Sequence, residues 1–165
     1  MIVARPPFGP GPFLIAGPCV VEDDRLNIRI GERLAELAAH LGIPVTYKAS
    51  FDKANRSRLG AARGPGIEEG LAALARVKAA TGLPILTDVH ESGQVAAAAA
   101  VADVLQVPAF LCRQTDLLVA VGRAERAVNV KKGQWMSPEG MAGAVEKIRG
   151  GGATAVAVTE RGSFF

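Results

Sequence analysis

The sequence predicts an α/β fold, a (β/α)8 TIM barrel of which about six strands are present in this chain. Three observations lead there. Short apolar runs alternate with longer helix-periodic runs along the 165 residues, the pattern of a parallel sheet with crossover helices. The short runs are nearly continuously apolar, as expected of strands covered on both faces. The C-terminal end of each run carries polar residues: Cys19, Lys48 with Ser50, Asp88 with His90, Gln106, Lys131, and Glu160 with Arg161. In a barrel all such ends open on one mouth. An open doubly wound sheet would instead gather function at one switch point.

Strands are expected over 13–16, 44–48, 84–88, 104–107, 127–131 and 155–159. Helices are expected over 24–41, 66–80, 92–101, 115–122 and 137–149. In the first helix Leu34, Leu37, Ala38 and Leu41 fall on one face, and Leu71, Leu74, Ala75 and Lys78 give a shorter version in the second. Gly42, Gly82 and Gly150 are the expected helix stops. Ser137-Pro138 reads as an N-cap followed by proline at the first helical position. Gly150-Gly-Gly152 lacks the spacing of a phosphate loop and reads as a helix-to-strand link. Residues 1–12 carry four of the ten prolines and read as an extended lead-in to a single domain over 1–165. A full barrel typically needs about 250 residues. Five βα units and a sixth strand therefore lead us to expect a chain cut short, with the alternative of a barrel fragment that has no catalysis of its own.

With 49% hydrophobic residues the chain can bury a core. A net charge of +3 with no basic run excludes a nucleic-acid surface, and 5% aromatic residues argue against a base-stacking platform. No apolar run approaches the about 20 residues of a membrane span. Two cysteines, Cys19 and Cys112, without a secretory signal point to free thiols in a reducing cytoplasm.

The stretch Lys48-Ala-Ser-Phe-Asp-Lys-Ala-Asn-Arg-Ser57 places three cations and polar donors at Ser50, Asn55 and Ser57 where the second strand ends. Lys48 and Ser50 are two apart and share a side on an extended backbone. Such a group suits a phosphorylated ligand, Arg56 offering a fixed fork and Lys48 and Lys53 mobile point charges. Cys19 is either a small apolar residue or a thiolate ligand for a divalent transition metal. His90 is either a second ligand or a donor to substrate, and Asp88 an acceptor for sugar hydroxyls or a metal-bound water. Arg113 stands just before a helix start at Thr115-Asp116, a candidate anion site. Strand alternation turns Lys131 inward and leaves Lys132 for the loop or the outer face. Arg161 faces the same mouth as Lys131. His40 is expected exposed, Cys112 a spectator, and Trp135 and Met136 packing residues.

The quoted motifs resemble the 3-deoxy-D-manno-octulosonate 8-phosphate synthases. They are Ala16-Gly-Pro-Cys19, the Lys48–Ser57 run, Arg63-Gly-Pro-Gly66, Thr87-Asp-Val-His-Glu91, Gln106-Val-Pro-Ala-Phe-Leu-Cys-Arg-Gln-Thr-Asp116, Asn129-Val-Lys-Lys132 and Thr159-Glu-Arg-Gly162. The resemblance implies condensation of phosphoenolpyruvate with D-arabinose 5-phosphate and water, releasing phosphate, in lipopolysaccharide precursor synthesis. It implies that Lys48, Ser50, Lys53, Gln106, Ala109, Lys131 and Arg161 line the phosphoenolpyruvate pocket, with Lys53, Asp88 and Lys131 catalytic. Asn55, Arg56 and Ser57 would hold the pentose phosphate, joined by Arg113 from a neighbouring subunit of a homotetramer. A cysteine at position 19 marks the form that requires a divalent metal ion, with the remaining His, Glu and Asp ligands expected beyond residue 165. The 3-deoxy-D-arabino-heptulosonate 7-phosphate synthases, the alternative, share the barrel and phosphoenolpyruvate but usually differ in the Lys48–Ser57 loop.

Overall fold

The structure is a computed structural model that describes residues 8–164. The first seven residues of the expected lead-in lie outside the described residues. Six strands form one sheet in sequential order: β1 (Leu14–Val20), β2 (Val45–Ser50), β3 (Ile85–Asp88), β4 (Val104–Val107), β5 (Ala127–Lys131) and β6 (Val156–Thr159). Every neighbouring pair is parallel. The order never reverses, so the switch point of a doubly wound sheet is absent among the described residues. The sheet curls as a half-barrel with helices α1 (Asp24–Leu41), α2 (Ile67–Thr81), α3 (Val95–Val101), α4 (Thr115–Gly122) and α5 (Ala142–Gly151) in the crossovers.

Two apolar clusters mark the two faces. The larger, with Tyr47, Ala49, Ile85, Leu105, Val107, Val128 and Val130 from the strands, packs against Leu74, Val77, Leu118 and Ile148 of the helices. The smaller lies on the inner face, where Leu86, Val104 and Ala127 meet Phe8, Ile15 and Ala155. These inner residues sit toward the N-terminal strand ends and close the bottom of the curl, leaving the C-terminal ends for polar groups.

The expected elements recur with shifts that have physical causes. β1 runs on to Val20 because a bulge between Ala16 and Cys19 lets the chain pass Gly17-Pro18 and resume pairing. A Cβ on Gly17 would stand 2.0 Å from the Lys48 carbonyl oxygen, so the strands approach there only without a side chain. Gly42 and Gly82 end α1 and α2 in the left-handed conformation, as expected. The stop expected at Gly150 falls instead at Gly152. α5 lies close against α4 there: a Cβ on Gly151 would meet the Val119 carbonyl oxygen at 2.6 Å, and one on Gly122 that of Ile148 at 2.2 Å. The helix expected from 137 opens as a 3-10 turn, Glu139–Met141, and its α-helical part starts at Ala142. Ser137 still caps that turn, its Oγ accepting from the Gly140 amide at 3.2 Å. Asp23 caps α1 through the Leu26 amide.

Candidate functional site

Strand parity puts Lys48 and Ser50 of β2, Asp88 of β3, Gln106 of β4, Asn129 of β5 and Thr159 of β6 on the inner face above the apolar plug. They form one continuous hydrogen-bonded belt. Lys53 Nζ donates to Ser50 Oγ at 2.8 Å, and Lys48 Nζ donates to the same oxygen at 3.2 Å. Ser50 Oγ and Gln106 Nε2 both donate to the Asp88 carboxylate. Asn129 Nδ2 donates to Gln106 Oε1 at 2.8 Å, and Thr159 Oγ1 donates to Asn129 Oδ1 at 2.9 Å. Each amide therefore has its oxygen and nitrogen assigned by its neighbours. The pairing Asp88↔Gln106 and Gln106↔Asn129 explains why these side chains meet: they are register partners in adjacent parallel strands.

The charges are concentrated at the β2–β3 end. Both ammonium groups lie 3.8 Å from Asp88 Oδ2. Burial pushes the Asp88 carboxyl up, but Lys48, the Ser50 and Gln106 hydrogen bonds and Lys53 outweigh it and hold the group below its ordinary value. Burial brings the Lys48 ammonium down to about 8, even with Asp88 beside it. Lys48 Nζ also donates to the Cys19 carbonyl at 3.2 Å. Cys19 is exposed and holds a left-handed backbone, φ 75°, at the end of the β1 bulge. That conformation costs a residue with a Cβ about 1–2 kcal/mol. Partial burial raises the Cys19 thiol, yet Lys48 and Lys53 win and leave it below its ordinary value, favouring thiolate.

A cavity of about 370 Å³ opens over this belt. Lys53, Asn55, Asp88, His90, Ala109, Lys131 and Arg161 all line it, together with Pro108 and Phe110. Lys48, Ser50 and Gln106, expected in the pocket, do not line it but contact Asp88, which does. Arg56 turns back on its own loop, donating from Nε to the Ala62 carbonyl at 3.0 Å. Ser57 and Arg113 are exposed and do not line the cavity. His90 packs edge-on against Phe51, with Nδ1 buried and unpartnered. His40 is exposed, as expected, and Cys112 is buried.

Two groups escape the sequence reading. Asn129 and Thr159 complete the belt, and their parity with Lys131 and Arg161 was the available signal. Lys132, expected in the loop or on the outer face, is only 1% exposed, enclosed by the chain that follows β5 and β6. Among the described residues no three His, Cys, Asp or Glu side chains gather as a metal site. Cys19 fits a divalent ion as a single thiolate donor.

A curled parallel sheet with a polar mouth at its C-terminal strand ends defines the α/β-barrel class. Within that class the chain belongs to the DAHP synthetase I family, whose model matches residues 9–165. It is 53% identical over 152 residues to the 2-dehydro-3-deoxyphosphooctonate aldolase of Syntrophotalea carbinolica, covering 92% of this chain and 55% of that protein. The aldolase of the same name from Synechococcus sp. is 52% identical over 152 residues, covering 92% and 54%. That of Koribacter versatilis is 50% identical over 157 residues, covering 95% and 56%. The chain thus spans about half the length of the curated relatives it matches. Among the described residues no helix is long and apolar enough to cross a membrane.

Proposed function

We propose that this chain carries part of the active site of a 3-deoxy-D-manno-octulosonate 8-phosphate synthase, condensing phosphoenolpyruvate with D-arabinose 5-phosphate and water. The observation that carries the reading is the cavity in which Lys53, Lys131 and Arg161 stand around a carboxylate fixed on both sides by the belt. Three cations and one immobile anion suit a substrate with two anionic groups and its charge redistribution.

In this reading Lys131 and Arg161 take the carboxylate and phosphate of phosphoenolpyruvate, with Lys48, Ser50, Gln106 and Ala109 shaping the floor. Water adds at C2 of the enol while C3 attacks the aldehyde carbon, and phosphate leaves. Lys53, bonded to Ser50, stabilises the charge that develops near C2, and Asp88 accepts from a sugar hydroxyl or the attacking water. Asn55, Arg56 and Ser57 bind the pentose phosphate, Arg56 by swinging out from Ala62. Arg113 serves a neighbouring subunit of a homotetramer in the cytoplasm. A divalent metal, held in part by the Cys19 thiolate and otherwise from outside the described residues, would supply Lewis acidity for the water or the aldehyde.

Titrating the isotope-labelled chain with each substrate tests the reading. Phosphoenolpyruvate should shift the amide signals of Lys53, Lys131 and Arg161. Arabinose 5-phosphate should shift Asn55, Arg56 and Ser57, and erythrose 4-phosphate, the substrate class of a heptulosonate synthase, should shift them far less. Stronger shifts with the four-carbon sugar would replace this assignment with the heptulosonate one, and no shifts with phosphoenolpyruvate would remove it.

A further inference from the structure

We propose that Lys132 is a positioning residue for Arg161, the clamp that fixes the anion-binding side of the cavity. The role of Arg161 rests on the function proposed above. The chain leaves regular structure at Thr159, and Arg161 lies in the irregular segment beyond it, which is tied down by backbone pairing further on, where the Phe164 amide donates to the Gln134 carbonyl at 3.1 Å. Among the described residues its guanidinium has one weak partner, Gln134 Oε1 at 3.4 Å. The Phe164 bond lies three residues past Arg161, and side-chain hydrogen bonds hold the backbone between.

Lys132 Nζ donates to the Gly162 carbonyl at 2.9 Å and Ser163 Oγ at 3.0 Å, the two residues that follow Arg161. Its third N–H reaches the Met136 carbonyl at 3.0 Å, in the connection after β5, where the Gly133 carbonyl at 3.3 Å can only share a proton, since an ammonium has three. One ammonium thus staples two loops. Glu160 Oε1 stands 3.3 Å from the same nitrogen and accepts from the Arg161 and Gly162 amides at 2.9 and 2.7 Å. Arg161 is therefore flanked by a carboxylate collecting amides and an ammonium collecting carbonyls. Gly162 takes φ 86°, which lets the turn close on both. A buried lysine is costly without full hydrogen bonding. Its compact charge suits converging carbonyls, where an arginine fork would not fit. Because Lys132 adjoins Lys131, the clamp also ties the two cavity-lining cations to one frame.

The test compares the chain with Lys132→Met, Glu160→Gln, Arg161→Ala and the double variants. Two readouts are taken: nitrogen relaxation of the Arg161 and Gly162 amides, and phosphoenolpyruvate affinity by titration. Lys132→Met should mobilise both amides and weaken phosphoenolpyruvate about tenfold, the scale of one charge-assisted hydrogen bond. Added to Arg161→Ala it should weaken binding little further, since both act through one group. A folded Lys132→Met chain with rigid amides and unchanged affinity, or with effects that add to those of Arg161→Ala, overturns the inference. Glu160 is exposed, so Glu160→Gln should fold where Lys132→Met does not, and it must show the same mobility in milder form or the clamp is refuted. If Arg161→Ala alone leaves affinity unchanged, the assigned substrate contact fails, while the amide readout still decides whether Lys132 holds the turn.

Discussion

The two faces of the same strands obey different rules. Outward residues such as Leu105, Val128 and Val130 are held by volume, fitted against helices with no polar partner. One residue along, Gln106 and Asn129 are held by partners, each amide specified by the next strand's side chain. Adjacent positions on β4 and β5 are equally buried, yet one set is interchangeable by size and the other only by hydrogen-bonding pattern. A barrel can thus keep a stable outer layer while its mouth is committed to charge.

Asp88 should give the largest departure between the faces. Asp88→Leu is close in volume but leaves Lys48 and Lys53 buried without their anion, so it should cost about 4 kcal/mol in a urea titration. On the outer face Leu105→Ala should cost about 3 kcal/mol through its cavity. Leu105→Met, which conserves volume, should cost about 1 kcal/mol or less. If Asp88→Leu proves as mild as Leu105→Met, the contrast between the faces is wrong.

Asn129 sharpens the comparison within the belt. Asn129→Leu keeps the shape but orphans Gln106 Oε1 and the Thr159 hydroxyl, and should cost about 2 kcal/mol. Asn129→Asp keeps the acceptor for Thr159 yet faces the Gln106 oxygen without a donor. Its stability should improve on acidification toward the range where the new carboxyl protonates. Unfolding midpoints across that range check both variants.

How far these relations were legible in the chain depends on their range. Parity along a strand is local, so the inward turn of Lys48, Ser50, Asp88, Gln106 and Lys131 could be read from spacing alone. Alternating runs likewise located the six strands and five α-helices, most ends closely, with the end of β1 and the start of α5 missed by about a turn, and did not show the 3-10 turn at Ala109–Leu111. The link from Asn129 to Gln106 depends on register between strands, which no single run encodes. Lys132 has outward parity, and whether that means solvent or burial depends on how the loops after β5 and β6 fold over it. The β1 bulge was hidden for a similar reason: Gly17 matters through its approach to Lys48, far away in sequence.

The smallest effect expected is a pH dependence confined to the mouth. Lys48 titrates at about 8 in the folded chain against an ordinary value of 10.5, mainly because burial disfavours its charge. The unfolded chain therefore binds more protons between those values, and stability rises with pH across that window. Its stabilising share is complete above the ordinary value and is lost as pH falls through about 8. From pH 7 to 9 the gain should be about 1 kcal/mol, the part of the titration that interval spans. The lowered Cys19 thiol acts in the same direction, since it too sheds its proton more readily when folded. Tyr47, on the outer face, opposes them: burial raises its phenol from 10.0 to about 12, so its contribution holds below 10 and disappears as pH climbs toward 12. Stability should therefore pass through a maximum near the crossover. Lys48→Met should flatten the rising limb and Tyr47→Phe the falling one, as urea midpoints measured across the alkaline range would show. A rising limb that survives Lys48→Met unchanged would place the titrating group outside the belt and remove the charge asymmetry between the two faces.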